Sequence, residues 1–589
     1  MNARVQRPKA PSRLAPAAPF GRLTATWLKV AAVLAVGALY TLRLPTATTE
    51  STYFWTQDVP VLALCIALTF ALGFAPPASL SRLAPLARRR PLWVGLLALV
   101  CLVAGAAGWR VVFQGYAFSL DEFLANFDAR IFASGHIAAP IPPPWRPYAE
   151  AMQPMYMLPL PDSFWASSYL PVNAALRALG RLAHAESLVN PLLSAFAVVA
   201  VYAVARRLWP QRRDLALVAA GLLGTSAQLI VMSMTAYAMP AHLAFDLAWL
   251  WLFLRGGKAG HAGAIAVGFF ATGIHQLLFH PLFVAPFVLQ LWLSRRWRLA
   301  GLYTLAYAFI CLFWVEYWPM EMRLLGVVAA SDDGAGMTNF AGRAMDALAR
   351  IRVDNVGLMA ESLMRFVTWQ NPLAAPLAVA GALAAERAKG HLRSLVFGIV
   401  LTLLAMLFIV PTQTHGWGYR YMHGLLGSFC LIAAWSWGRL TDGLPPARAK
   451  AAAGSLALAC AISLLVFVPL RAWQAWSYVR PYAAANAAIQ ASPAKVVLID
   501  HDGALLFDMG TVTRNDPFLI KGPKVMALAA MDAPMVRRLC ASGQSIAVFN
   551  GRDAQAFGID VIRQPPDPYA ARLRALLASL KCGQPMPAP

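Results

Sequence analysis

Apolar runs of about twenty residues alternate with short polar stretches along most of the 589-residue chain. A run of that length crosses the hydrocarbon core of a bilayer as a helix. Thirteen windows fit: 25–43, 59–79, 92–113, 187–206, 214–232, 241–254, 262–279, 281–294, 299–317, 372–386, 394–411, 422–438 and 451–471. Those at 241–254, 281–294 and 372–386 are short and need flanking residues or tilt. The pattern predicts an all-α polytopic membrane protein with about thirteen transmembrane helices. It breaks after residue 471. There VVLID and SIAVF read as strands and PYAARLRALLASL as a helix, so a small C-terminal α/β domain is expected over 472–589.

The polar stretches give an orientation. The first 22 residues carry Arg4, Arg7, Lys9, Arg13 and Arg22, which holds this tail in the cytoplasm. The run that follows is long enough to stay as an uncleaved anchor. Counting from there, every even-numbered loop is basic: Arg88–Arg90, then Arg206, Arg207, Arg212 and Arg213, then Arg255 and Lys258. Arg295, Arg296 and Arg298 follow, then Arg387, Lys389 and Arg393, then Arg439, Arg448 and Lys450. Loops 44–58 and 233–240 have no Lys or Arg. The expected division is therefore a cytoplasmic tail (1–22), a multi-spanning domain (23–471) with external loops 114–186 and 318–371, and a periplasmic C-terminal domain (472–589).

Composition agrees. Hydrophobic residues make up 59% of the chain and charged residues 13%, about half the charged share of a soluble protein. Mean hydropathy is +0.56. The net charge of +23 falls in short clusters between apolar runs, which suits membrane orientation and gives no nucleic-acid surface. Cys65, Cys101, Cys311, Cys430 and Cys460 lie in apolar runs and read as packing residues. Cys540 and Cys582 lie in the polar C-terminal region, where an oxidising compartment favours a disulfide.

Unusual polar residues collect at the external ends of the spans. GYAFSLDEFLANFDARIFASGHI places Asp121 and Glu122 just after the third span, with Asp128 following. Adjacent helical side chains point about 100° apart, so the two acids have different jobs. One can take a proton from an attacking hydroxyl while the other orients a partner; a solvated helix start explains the same letters. Residues 170–183 read as an amphipathic helix on the membrane surface. Other external ends add Tyr237 and His242, then His275 and His280, then TQTHGWGYRYMH with His415, Tyr419, Arg420, Tyr421 and His423. The histidine spacing does not make a helical metal pair, and belt positions at an interface explain such residues too. Arg420 is the only basic residue of a short external loop, and a guanidinium there suits a phosphate.

SLDEF with ARIFASGHI after a span, FWASSYLPVNAALRALG, TAYAMPAHLAFDLAWLWLFLRG, and HGWGYRY before a late span resemble the polyprenyl-phosphate-dependent glycosyltransferases of the GT-C superfamily. The nearest groups are the protein O-mannosyltransferase (family 39) type and the bacterial lipid A aminoarabinose transferases. The resemblance covers residues 92–440. It implies two external juxtamembrane helices in the first loop and an inverting transfer from a lipid-phosphate sugar to a glycan, lipid or protein acceptor. It places the acidic motif on Asp121 and Glu122, with Asp121 the base, and the donor-phosphate contacts on Arg420 and its neighbours. Some relatives use a divalent cation and others none; the sequence has no dedicated metal cage. This chain differs in carrying two spans before the one that precedes the acidic pair. The implied location is a bacterial inner membrane. A transporter or lipid flippase of envelope biogenesis is the alternative, and a non-catalytic assembly factor a third reading. VVLIDHDGALL also resembles the Asp-x-Asp-Gly start of haloacid-dehalogenase phosphatases at Asp500 and Asp502, but a strand followed by a turn explains it.

Overall fold

The computed structural model describes residues 53–74, 90–326, 354–385, 390–501, 510–559 and 567–586, apart from 159, 161–162, 411–412 and 414–415, with a few further helical positions between 25 and 36. Most of the first predicted span, residues 327–353 of loop 318–371, His415 and Asp502 lie outside them.

In chain order the helices begin with α1 (Val59–Phe74), entered through a π-turn at Phe54–Asp58, and α2 (Arg90–Val111). Loop 114–186 then holds α3 (Leu120–Ala133), a two-stranded antiparallel ribbon of β1 (Ala139–Pro140) and β2 (Phe164–Trp165), and α4 (Val172–Leu182). Next come α5 (Val189–Leu208), α6 (Arg213–Gly224), α7 (Ala227–Ser233), α8 (Met239–Arg255), α9 (Gly257–Thr272), α10 (Phe279–Leu293) and α11 (Trp297–Leu324). The helices before the C-terminal unit end with α12 (Asp354–Thr368), α13 (Ala374–Leu383), α14 (Leu392–Ile409), α15 (Leu426–Thr441), α16 (Pro446–Ile462) and α17 (Val468–Gln490).

The protein is a multi-pass helical membrane protein. Among the described residues six helices are long and apolar enough to cross a bilayer: Phe54–Leu72, Pro91–Val111, Glu186–Leu208, Trp297–Leu324, Leu392–Ile409 and Pro446–Gln490. The pair α6 and α7, bent by 55°, makes a seventh if it is one span. The bend has a polar cause. Ser226 caps α7 by accepting from the backbone of Leu229, while Ser463 donates to the Thr225 carbonyl from α16's end (2.6 Å). Other predicted windows are helices too, but shorter: α8 has 17 residues and α15 has 16. Residue 472 falls inside α17, which continues to Gln490 before the first strand of the C-terminal unit.

α4 turns Leu179 and Leu182 outward and buries Asn173 and Arg177. A helix that hides its polar face and shows its leucines suits an apolar surface.

The C-terminal unit is a four-stranded parallel sheet in the order β4-β3-β5-β6, built from β3 (Val496–Ile499), β4 (Lys524–Ala527), β5 (Ile546–Phe549) and β6 (Gln584–Pro585). Parallel sheets need both faces covered. Val497, Ile499, Ala547 and Phe549 join the core of the membrane helices. Val496, Leu498, Met526 and Ile546 join a second core with Phe127 and Ile131 of α3, Trp165 of β2 and Met152. Polar contacts fix the same seam: Trp165 donates to the Pro517 carbonyl (2.6 Å), Arg514 to Phe118 (2.7 Å) and Asn515 to Met152 (3.1 Å). The sheet is thus wedged between the helical body and loop 114–186.

Cys540 and Cys582 form the expected disulfide, with Cα atoms 5.7 Å apart and a sequence separation of 42. Closing a loop of this size stabilises the folded unit by about 2–4 kcal/mol. The Cys540→Ser, Cys582→Ser double variant is expected to lose that amount. Limited proteolysis should show faster cleavage within 495–586, and equal resistance would refute the assignment.

Candidate functional site

Four loops meet at one end of the helical body and bring their residues to one point. α3 starts with a capping box. Ser119 accepts from the Glu122 backbone N–H (3.2 Å), and Glu122 accepts from the Ser119 N–H (3.1 Å). The other Glu122 oxygen accepts from the Ala236 N–H ahead of α8 (3.0 Å). Glu122 is therefore a buried tie between two loops. Burial, opposed by these hydrogen bonds, pushes its pKa up to about 7.

Asp121, the residue before Glu122 on α3, leaves the helix about 100° around from it. One of its oxygens accepts from the Tyr169 hydroxyl and the other is ion-paired with Arg420 Nη1. Burial opposes its charge, but Arg420 and the Tyr169 hydroxyl outweigh this and hold the carboxylate below its ordinary range. His275 packs against Tyr169 with the two rings tilted by 37° and their centres 4.1 Å apart. Its pKa falls to about 4, mainly through burial, so it is neutral beside the pair.

Arg420 is fixed from several sides. Its guanidinium sits over the rings of Tyr421 (5.2 Å) and Tyr237 (5.5 Å). Its Nη2 donates to the Gln413 carbonyl (3.2 Å), and its backbone N–H donates to the Gln413 side chain (2.8 Å). Nε has no partner among the described residues. The loop before it turns at Gly418, whose φ is +74° and whose missing Cβ leaves room for the Gln228 side chain. Gln228 in turn donates to the Tyr419 carbonyl (2.9 Å).

Behind Arg420 a small cavity opens between α8, α10 and α14, lined by Met239, His242, Asp246, Phe279, Thr402, Tyr421, Gly424 and Leu425. Both His242 nitrogens and the Thr402 hydroxyl are buried without a partner among the described residues. Asp246 bonds His280 (2.6 Å), whose other nitrogen bonds Tyr307 (2.8 Å).

The residues singled out in sequence thus separate into groups. Asp121, Arg420, Tyr421, Tyr237 and His275 converge. His242 lines the cavity with Arg420. Tyr419 and His423 are buried beneath the loop, at Gln228. His280 is interior, with both ring nitrogens engaged. Asp128 is also withdrawn: both its oxygens accept from Ser167, and burial pushes its pKa up to about 6. Sequence reading did not single out Tyr169, Gln228, Gln413 or Asp246. Only Asp246, a lone acid within an apolar span, left a signal. Among the described residues no group of three His, Cys, Asp or Glu side chains is arranged to hold a metal ion.

No protein-family profile matches the chain, and no curated protein does. Among solved structures the chain is similar to ArnT from Cupriavidus metallidurans bound to undecaprenyl phosphate, with a TM-score of 0.48 and 14% identity, over 74% of this chain and 85% of that one. It is also similar to the oligosaccharyltransferase of Archaeoglobus fulgidus in complex with Zn and sulfate, with a TM-score of 0.38 and 13% identity, over 73% of this chain. It spans 62% of the archaeal chain.

Glu122 makes a pH prediction. A buried acid with a raised pKa favours the fold most below its unfolded value near 4.5 and loses that contribution as the pH rises through about 7. Thermal unfolding of wild type, measured against Glu122→Gln, is expected to fall as the pH goes from about 5 to about 8. A constant difference across that range would count against it.

Proposed function

We propose that the protein is a GT-C-type integral membrane glycosyltransferase that moves a sugar from a polyprenyl-phosphate donor to an extracytoplasmic hydroxyl with inversion. The observation that carries this reading is the Asp121–Arg420 pair, 299 residues apart in sequence and joined directly, with Arg420 also lining a small cavity beside it. An acid beside a guanidinium is the minimum such a transfer needs: one group for the acceptor proton, another for the leaving phosphate.

In the reaction, the donor phosphate takes the Arg420 guanidinium, a planar fork that fits phosphate oxygens in pairs. Arg420 then shares its charge with the phosphate, and Asp121 loses the partner that suppresses its basicity. The acceptor hydroxyl gives its proton to Asp121 as its oxygen attacks the anomeric carbon. The bond from that carbon to the phosphate oxygen breaks, and its electron pair leaves with the polyprenyl phosphate. Positive charge builds on the sugar in between, as in other glycosyl transfers. Tyr169 holds Asp121 in line through its hydroxyl, and neutral His275 packs against Tyr169 without adding a competing charge.

The compartment fits this chemistry. The basic tail and basic even-numbered loops favour a cytoplasmic N-terminus in a bacterial inner membrane, with the site and the C-terminal unit on the periplasmic side. The Cys540–Cys582 bond favours the same side. A lipid-linked sugar is the natural donor there. The acceptor is a glycan, lipid or protein hydroxyl.

The test is transfer of radiolabel from polyprenyl-phosphate sugars to membrane glycans. Asp121→Asn is expected to cut transfer by at least about 100-fold, the usual worth of a general base, while thermal unfolding shows a folded protein. Full transfer by that variant would remove Asp121 from the role. Label that crosses the membrane without being transferred would point to a flippase.

A further inference from the structure

Asp58 stands at the entry to α1, only 1% exposed, and three groups converge on its carboxylate. Arg365 of α12 donates from Nη1 (3.1 Å), Arg471 of α17 from Nη2 (3.0 Å), and Thr368 from its hydroxyl (2.8 Å). Arg471 also donates to the Thr368 carbonyl (3.1 Å). The Trp369 ring lies against both guanidiniums, at 5.1 Å and 4.8 Å. Burying such a cluster costs desolvation, and stability alone is a weak reason to keep it.

Its reach supplies another reason. Arg365 faces two ways: while Nη1 holds Asp58, Nε donates to the carbonyl of Gly416 (2.9 Å). A guanidinium is planar and rigid, so fixing one edge aims the other. Gly416 lies four residues before Arg420, in the loop that Gln413 and Gln228 also hold. Gln413 and Gln228 hold it at Gly418, Tyr419 and Arg420; Arg365 holds the stem. A span far from Arg420 in sequence is thus wired to the placement of Arg420.

We propose that Arg365, anchored by Asp58, is a positioning residue that sets the height of the Arg420 loop and thereby the affinity for the donor's phosphate; the affinity clause rests on the function proposed above. Arg365 touches no reacting atom. Lysine at this position keeps a cation for Asp58 but has no second edge for Gly416.

The experiment uses full-length protein in detergent, with hydrogen–deuterium exchange over residues 413–423, equilibrium binding of undecaprenyl phosphate, and thermal unfolding. Arg365→Lys is expected to speed exchange in that segment and to weaken undecaprenyl phosphate binding about tenfold, the worth of one charge-assisted hydrogen bond. Thr368→Val removes one bond to Asp58 at nearly constant volume. It is expected to move both readouts the same way by less, and serves if the lysine variant does not fold. Unchanged exchange in a folded variant overturns the proposal. Faster exchange in the variants, together with a wild type that does not bind undecaprenyl phosphate, leaves the positioning role standing and defeats the phosphate reading instead.

Discussion

The ion pair between Asp121 and Arg420 is the constraint on which the arrangement of loops depends. Neither residue can be placed by its own element alone. Asp121 leaves α3 in a direction set by the capping box, because Glu122 is committed to Ser119 and Ala236. Arg420 leaves a loop whose carbonyls are claimed in turn by Arg365, Gln413 and Gln228. The two halves of the site are therefore built separately and joined by charge. Such a pair offsets its own desolvation only when its geometry is good and its remaining hydrogen-bonding groups are occupied. Tyr169, Gln413 and the two flanking tyrosine rings engage the rest of the pair here, and Arg420 Nε alone has no partner among the described residues.

The same pair accounts for a resting state with little basicity. Both carboxylate oxygens are occupied and the charge is neutralised, so Asp121 is a poor proton acceptor until Arg420 finds another anion. A pair arranged this way keeps the charge of the site balanced.

The helical character of the body was legible because apolar runs of span length are a strong signal, and the two strand-like stretches near the C-terminus were legible through their β-branched and apolar letters. Helix ends were less so. α17 passes its apolar window because the alanine-rich stretch before Gln490 favours helix without hydrophobic drive. Asp121 and Arg420 stood out as charges in unexpected places. The role of Glu122 was also spelled in the sequence, since Ser119 and Glu122 make the S-x-x-E pattern of a helix cap. Reading it as half of an acidic pair obscured that. Asp128 and His280 were expected at the substrate; each instead bonds a neighbour inside the fold, and which neighbour depends on tertiary packing. The link from Asp58 to Arg365 and Arg471 joins residues 307 and 413 positions apart, and no local pattern carries it.

The wedged sheet has a consequence for biosynthesis. α3 and the ribbon that follows it leave the ribosome hundreds of residues before the strands that cover Phe127, Ile131 and Trp165. Until β3, β4 and β5 emerge, that apolar surface lacks the cover these strands supply, a condition that favours aggregation or capture by chaperones. Assembly of this end of the molecule therefore waits on its last-made segment, and the nascent protein spends most of its synthesis as a half-finished seam.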